Sequence, residues 1–196
     1  MSDQQPIEQL IKALWDENET VRAQAIEALG EIGESAVPAL LSALRDDDRN
    51  YELQDFENPD LRKAILRVGE PAFQALLAAL QPGSDMVRAA AKTLGLFDDP
   101  RAVEPLIAAM LNEHVDLNGR CYAIDTLAKL KDPRAIEPLV GALSDDDAYI
   151  QSHAARALNA LEDQDESWRF LMEDLPRVLD VLRKKSGKTV KTQSRD

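Results

Sequence analysis

The chain holds one cysteine, Cys121, in 196 residues. An internal disulfide is therefore excluded, and so is a zinc site built from several thiolates. This usage suits a reducing compartment. Histidine is almost as scarce. His114 and His153 are the two present, and neither has a second ligating side chain three or four positions further on, so no metal set is expected. Glycine-rich phosphate loops are missing, as are GxSxG and GxGxxG, which removes the motif-bearing nucleotide and hydrolase classes. Aromatic residues make up 5% of the chain. The core must come mainly from Leu, Ala, Val and Ile, a supply better suited to helices than to strands. No apolar run approaches the ~20 residues that span a bilayer. The opening MSDQQPIEQL has no basic-then-apolar secretion signal. These absences lead to the expectation of a soluble, cytoplasmic chain.

Charge is abundant but unevenly spread. The net charge is −13, and the last fourteen residues, RKKSGKTVKTQSRD (183–196), carry six basic side chains and one acid. Residues 1–182 therefore stand at −18. A body this acidic repels phosphate backbones, so nucleic acid is not expected as a partner. The basic tail is read as a disordered, solubilising extension.

Two segments say nearly the same thing: DPRAVEPLIAAM (99–110) and DPRAIEPLVGAL (132–143). Taking Val103 and Ile136 as anchors, earlier equivalents open at Phe73 (FQALLAAL), Val37 (VPALLSAL) and Ile7 (IEQLIKAL), giving spacings of 30, 36, 30 and 33 residues. Periods in this range belong to stacked helical pairs. In each unit a first helix carries apolar residues at i, i+3, i+4 and i+7, as in Val103, Leu106, Ile107 and Met110. A second helix is predicted over 21–33, 86–97, 119–130 and 150–161. Asn18, Asp116 and Asp147 stand where caps of those helices belong. Asn58-Pro59, Asp99-Pro100 and Asp132-Pro133 each place a capping side chain before a first-turn proline. Pro105 and Pro138 fall near the leading turn of the next helix, where proline sets the start rather than breaking it.

The segments DPRAVEPL, DPRAIEPL and VRAQAIEALGEIGESAVPALLSAL resemble the HEAT repeat, in the short form named after phycobilisome lyases. The resemblance covers about residues 6–162 and implies an all-α, right-handed α-solenoid of about five helix pairs whose second helices line the concave side. Units are expected near 6–36, 37–72, 73–102, 103–135 and 136–166. The second departs from the pattern, with a long loop and a second helix near 61–69 about one turn short. SWRFLMEDLPRVLDVLRKK (167–185) is helical by spacing, kinked at Pro176, and within it 167–182 is read as a cap closing the last apolar face of a single domain spanning 1–182. Trp168, Phe170 and, at the other end, Trp15 are expected as apolar filler there.

Candidate binding residues come from helical rotation. Opposite the buried stripe of the second helices lie Ala23 and Glu27, Arg88 and Lys92, Cys121 and Asp125, and Ser152 and Arg156. This mixed-charge stripe is either a wet helix surface or a docking groove whose charges select a partner. Cys121 is read as a small apolar filler in preference to a reactive thiol, with Arg120 the one neighbour able to lower its pKa. Residues 45–60, RDDDRNYELQDFENPD, are expected as an irregular acidic insertion. Asp46, Asp48, Asn50, Glu52 and Glu57 match the spacing of a calcium loop, but Tyr51 stands where its turn needs glycine. A solvated loop, or a partner-binding loop using Tyr51, Asp55 and Phe56, fits better.

No catalytic cluster is expected, and two functions stay open. One is a non-catalytic scaffold or assembly factor that binds another protein in the groove without a cofactor. The other follows from the resemblance alone: a bilin lyase or isomerase subunit, or a factor for phycobilisome breakdown or iron–sulfur assembly. Its partners would be a phycobiliprotein or a second HEAT-like chain. The missing His-Glu pairs set aside the iron-binding HEAT hydroxylases.

Overall fold

In the computed structural model, which describes residues 4–54 and 58–162, helices follow one another with no strand among the described residues. They are α1 (Gln4–Ala13), α2 (Glu19–Ile32), α3 (Val37–Gln54), α4 (Pro59–Val68), α5 (Glu70–Ala79), α6 (Val87–Leu94), α7 (Val103–Leu111), α8 (Leu117–Leu130), α9 (Ile136–Ala142) and α10 (Ala148–Glu162). Odd and even helices pair, and successive pairs stack into an all-α solenoid, with α2 on α4, α6 on α8 and α8 on α10 forming a row of second helices. Among the described residues no helix is long and apolar enough to cross a membrane. The expected cap at 167–182, its Trp168 and Phe170, and the tail 183–196 lie outside the described residues.

The stripes read from the sequence are the ones that pack. Val103, Leu106, Ile107 and Met110 are all buried, as are Ala25 and Leu29 on α2. Each large side chain so removed from water contributes about 1.5–3 kcal/mol. The capping residues act as their chemistry requires. Asn18 accepts from the Thr20 N–H at 2.9 Å, Asp116 from Gly119 at 2.9 Å, and Asp147 from Tyr149 at 2.8 Å. Asn58 accepts from Asp60 and Leu61, and its amide donates to the Leu14 carbonyl at 2.9 Å, so one side chain starts α4 and fixes it to the end of the first unit.

The repeated DPRA corners form short 3₁₀ turns, Pro100–Ala102 and Pro133–Ala135. Asp99 accepts from the Arg101 N–H, and the Arg101 guanidinium then grips the same carboxylate at 2.6–3.0 Å. The free edge of that guanidinium reaches back to Glu70, while its plane lies 4.6 Å over the Phe73 ring. Arg134 repeats the arrangement with Asp132, and donates to the Pro100 carbonyl at 3.0 Å. Each corner is thereby tied to the unit before it. Ala102 and Ala135 are fully buried beneath these turns.

Close approach within the row depends on Leu-Gly pairs. A Cβ on Gly30 would stand 2.2 Å from Arg67 Cγ of α4, and one on Gly95 would stand 3.0 Å from Thr126 Cγ2 of α8.

Three expectations require correction. The insertion at 45–60 is not irregular through its first part, because α3 continues to Gln54. Asp47 and Asp48 are buried rather than solvated. Arg62 of α4 donates to Asp47 at 3.1 Å, and Arg88 of α6 donates to Asp48 at 3.0 Å, so each carboxylate is neutralised by a neighbouring helix and the acidic run can stay helical. Trp15 is not apolar filler, since half of it is exposed. The second helix of the second unit, α4, is about one turn short as expected, with 10 residues against 14 in α2 and α8, and α6 is shorter still at 8.

Candidate binding face

The row of second helices carries two open hollows. The first, of about 620 Å³, lies between α8 and α10. Cys121, Tyr122 and Asp125 line it from α8; Tyr149, His153 and Arg156 line it from α10. Both helices are held firmly behind it. Arg120 turns away from the hollow, donating to the Met110 carbonyl at 2.8 Å and to Asp145 at 2.6 Å, which pins the first turn of α8 to the loop before α10.

Asp125 organises the polar part. It lies 2.9 Å from His153 Nδ1 and 3.7 Å from the Arg156 guanidinium. A carboxylate can only accept, so Nδ1 carries the hydrogen in this pair. At the rim, Tyr149 is 68% exposed, and Leu117 projects beside it. A large aromatic ring with a polar tip, left in water beside a mixed-charge floor, has the character of an interface anchor.

Cysteine, histidine and aspartate in one hollow invite comparison with a nucleophilic trio, but the geometry does not make one. No hydrogen bond joins Cys121 to His153. Burial, reinforced by the negative charges of Asp125 and Asp147, pushes the Cys121 thiol up to about 11. A nucleophilic cysteine needs the opposite shift. Among the described residues no cluster of three His, Cys, Asp or Glu side chains is placed to hold a metal.

The second hollow, a cleft of about 390 Å³, lies between α4 and α6. Pro59, Leu66 and Leu96 line it together with Arg62, Lys63, Lys92 and Lys129. Lys92 also lies 5.6 Å over the Tyr122 ring, so the two hollows share a wall.

The rotational estimate fares unevenly. Lys92, Cys121, Asp125 and Arg156 do line these hollows. Glu27 is exposed on α2, where it pairs with Arg67 at 2.6 Å. Arg88 must be corrected: its side chain is 14% exposed and is held inward by the carboxylate and carbonyl of Asp48. Cys121 lies at the back of its hollow, 7% exposed. Asp55 and Phe56 lie outside the described residues, and so does the side chain of Tyr51. Sequence reasoning missed Tyr149, His153, Lys63 and Lys129. His153 is one position from the selected Ser152, an error of 100° around the helix.

Comparison with protein families finds two matches. Residues 1–57 and 110–195 match HEAT repeats. Residues 87–112, which contain α6, the first DPRA corner and α7, match the PBS lyase HEAT-like repeat. No curated protein matches the chain.

Proposed function

Because the chain belongs to the HEAT-repeat proteins, with a unit of the PBS lyase HEAT-like type, we propose that it is a non-catalytic scaffold that holds a segment of another protein along its second helices. HEAT repeats commonly mediate protein interactions, and a stacked array supplies a long continuous surface without a reaction of its own. The single observation that carries this reading is the run of two adjoining hollows on that row, sharing the Lys92–Tyr122 contact and edged by exposed Tyr149 and Leu96. A partner lying across both would bury aromatic and aliphatic anchors centrally, with charged pairs at the rim selecting it. Assembly of a larger complex is the work such a surface suits.

The test is affinity capture from the native lysate with face-specific variants. Tyr149→Ala and Arg156→Glu are expected to lose the captured partner, whereas Glu104→Lys and Glu137→Lys on the first helices are expected to keep it. Loss with the second pair and retention with the first would overturn the proposal.

A second reading, a bilin lyase subunit acting on a phycobiliprotein or beside a second HEAT-like chain, is supported by the match over 87–112. Burial raises the Cys121 thiol to about 11, which disfavours it as the attachment nucleophile in this reading. Mixing the pure protein with phycocyanobilin and an apo-phycobiliprotein tests it; a shifted visible absorbance favours the lyase, and an unchanged spectrum removes it for this chain acting alone.

A further inference from the structure

The cleft between α4 and α6 has its own chemistry. We propose that it takes an acidic peptide segment of the partner, with one bulky apolar side chain seated against Leu66 and Leu96 and carboxylates set against Lys92 and Lys129. This rests on the scaffold reading and specifies the partner's chemistry.

The cleft exists because the row of second helices is interrupted. Helices α2 and α4 pack closely, and so do α6 and α8, but α4 and α6 scarcely touch. The apolar side chains of α6 are buried, yet Leu96, two residues beyond its end, lines the cleft and is 47% exposed. A volume of about 390 Å³ sits near the low end of ligand pockets, which run from roughly 300 to 1,000 Å³. It has room for one or two side chains rather than a large cofactor.

Charge selects the occupant. The chain carries −13 overall, but three lysines converge at this cleft. Lys63 is paired with Asp60 at 2.6 Å, and that carboxylate is mostly buried and shared with Arg22. Lys129 is exposed and has no acidic partner among the described residues. An ammonium group held beside apolar surface in an otherwise acidic protein attracts carboxylates and repels basic segments. Nucleic acid fits poorly, because the apolar lining is Pro59, Leu66 and Leu96, with no aromatic ring for a base to stack on.

Display of random 12-residue peptides against the full chain tests this. Enriched peptides are expected to be net acidic and to contain Leu, Phe or Trp. Their affinity is expected to fall about tenfold with Lys129→Glu, to fall with Leu96→Ser, and to weaken as salt rises. Lys129 is exposed, so an unchanged melting curve will show that the variant is folded. Enriched peptides that bind Lys129→Glu as tightly as the wild type would overturn the inference. If those peptides are sensitive instead to Tyr149→Ala, the inference fails while the scaffold reading stands; if no peptide is enriched, both fail. Concentration-dependent dimerisation abolished by Lys129→Glu would make a second copy the occupant and would also overturn it.

Discussion

Arg101 and Glu70, thirty-one residues apart, meet in a two-point ion pair, Nη1 to Oε1 and Nη2 to Oε2, each at 2.8 Å. The same guanidinium holds Asp99 and covers Phe73. One arginine thus joins the corner of its own unit to both the first turn and the apolar stripe of the preceding first helix. This is why DPRA recurs: aspartate shapes the turn, proline starts it, arginine reaches back, and alanine fits beneath. Arg134 makes the corresponding, looser reach to Glu104 at 3.5 Å.

The pair gives stability an acid limb. The Arg101 guanidinium, helped by Gln74, holds the Glu70 carboxyl down at about 2, against an ordinary 4.5, and Arg101 lowers Asp99 as well. Carboxylates depressed in the folded state contribute fully above the ordinary value and lose that contribution as pH falls toward the folded one. Glu70→Gln is therefore expected to melt slightly below wild type at pH 7, with the gap closing as pH falls from about 4.5 toward about 2. Thermal melts across that range check it; a gap that stays constant would place the stabilisation elsewhere.

The buried pair Asp48–Arg88 should be costly to break and cheap to replace. Asp48→Ala takes the carboxylate away from a nearly buried guanidinium, and is expected to destabilise by about 3 kcal/mol, the lower end for such losses. Asp48→Leu with Arg88→Met removes both charges and is expected to fall within about 1 kcal/mol of wild type. Urea unfolding separates these outcomes. Equal losses in the single and double variants would contradict the pairing argument.

Cys121 should be slow to alkylate. A thiol raised from 9.0 to about 11 has about a hundredfold less thiolate at neutral pH, and its burial hinders approach. Iodoacetamide at pH 7.5 is expected to label the native chain at least about tenfold more slowly than the urea-unfolded chain. Equal rates would show an accessible, ionised sulfur.

Two glycine-to-alanine changes should have opposite signs. At Gly141, within α9, nothing lies within 4 Å of an added Cβ, so alanine is expected to stabilise by roughly 0.5–1 kcal/mol. At Gly30 the methyl would overlap Arg67 Cγ and disturb the Glu27–Arg67 pair, so a net loss of about 1–2 kcal/mol is expected. Adding Arg67→Ala to Gly30→Ala should recover most of that loss. Melting or urea titration of the three variants decides the point.

Much of the fold was legible because its signals are local. The 30–36-residue period, the four-residue apolar stripes and the caps at Asn18, Asn58, Asp116 and Asp147 all act within a few residues of themselves. The acidic run at 46–48 misled for the opposite reason. Its helical state depends on Arg62 and Arg88, which lie 15 and 40 residues further on. The binding face was legible only in outline. Rotation about one helix located Asp125 and Arg156, but the Asp125–His153 contact spans two units, and the lysine cleft arises from the gap between α4 and α6. Neither is written in the periodicity of a single helix.

The central claim is that a partner lies along the second helices. The most direct measurement is site-specific photo-crosslinking, with a photoreactive residue placed at Asn118 or Lys129 on that row and at Glu104 or Glu137 on the first helices, each exposed to the native lysate and read by mass spectrometry. The account predicts one common protein adduct at the two row positions and none at the other two. The same adduct at Glu104 or Glu137, with none at Asn118 and Lys129, would contradict it.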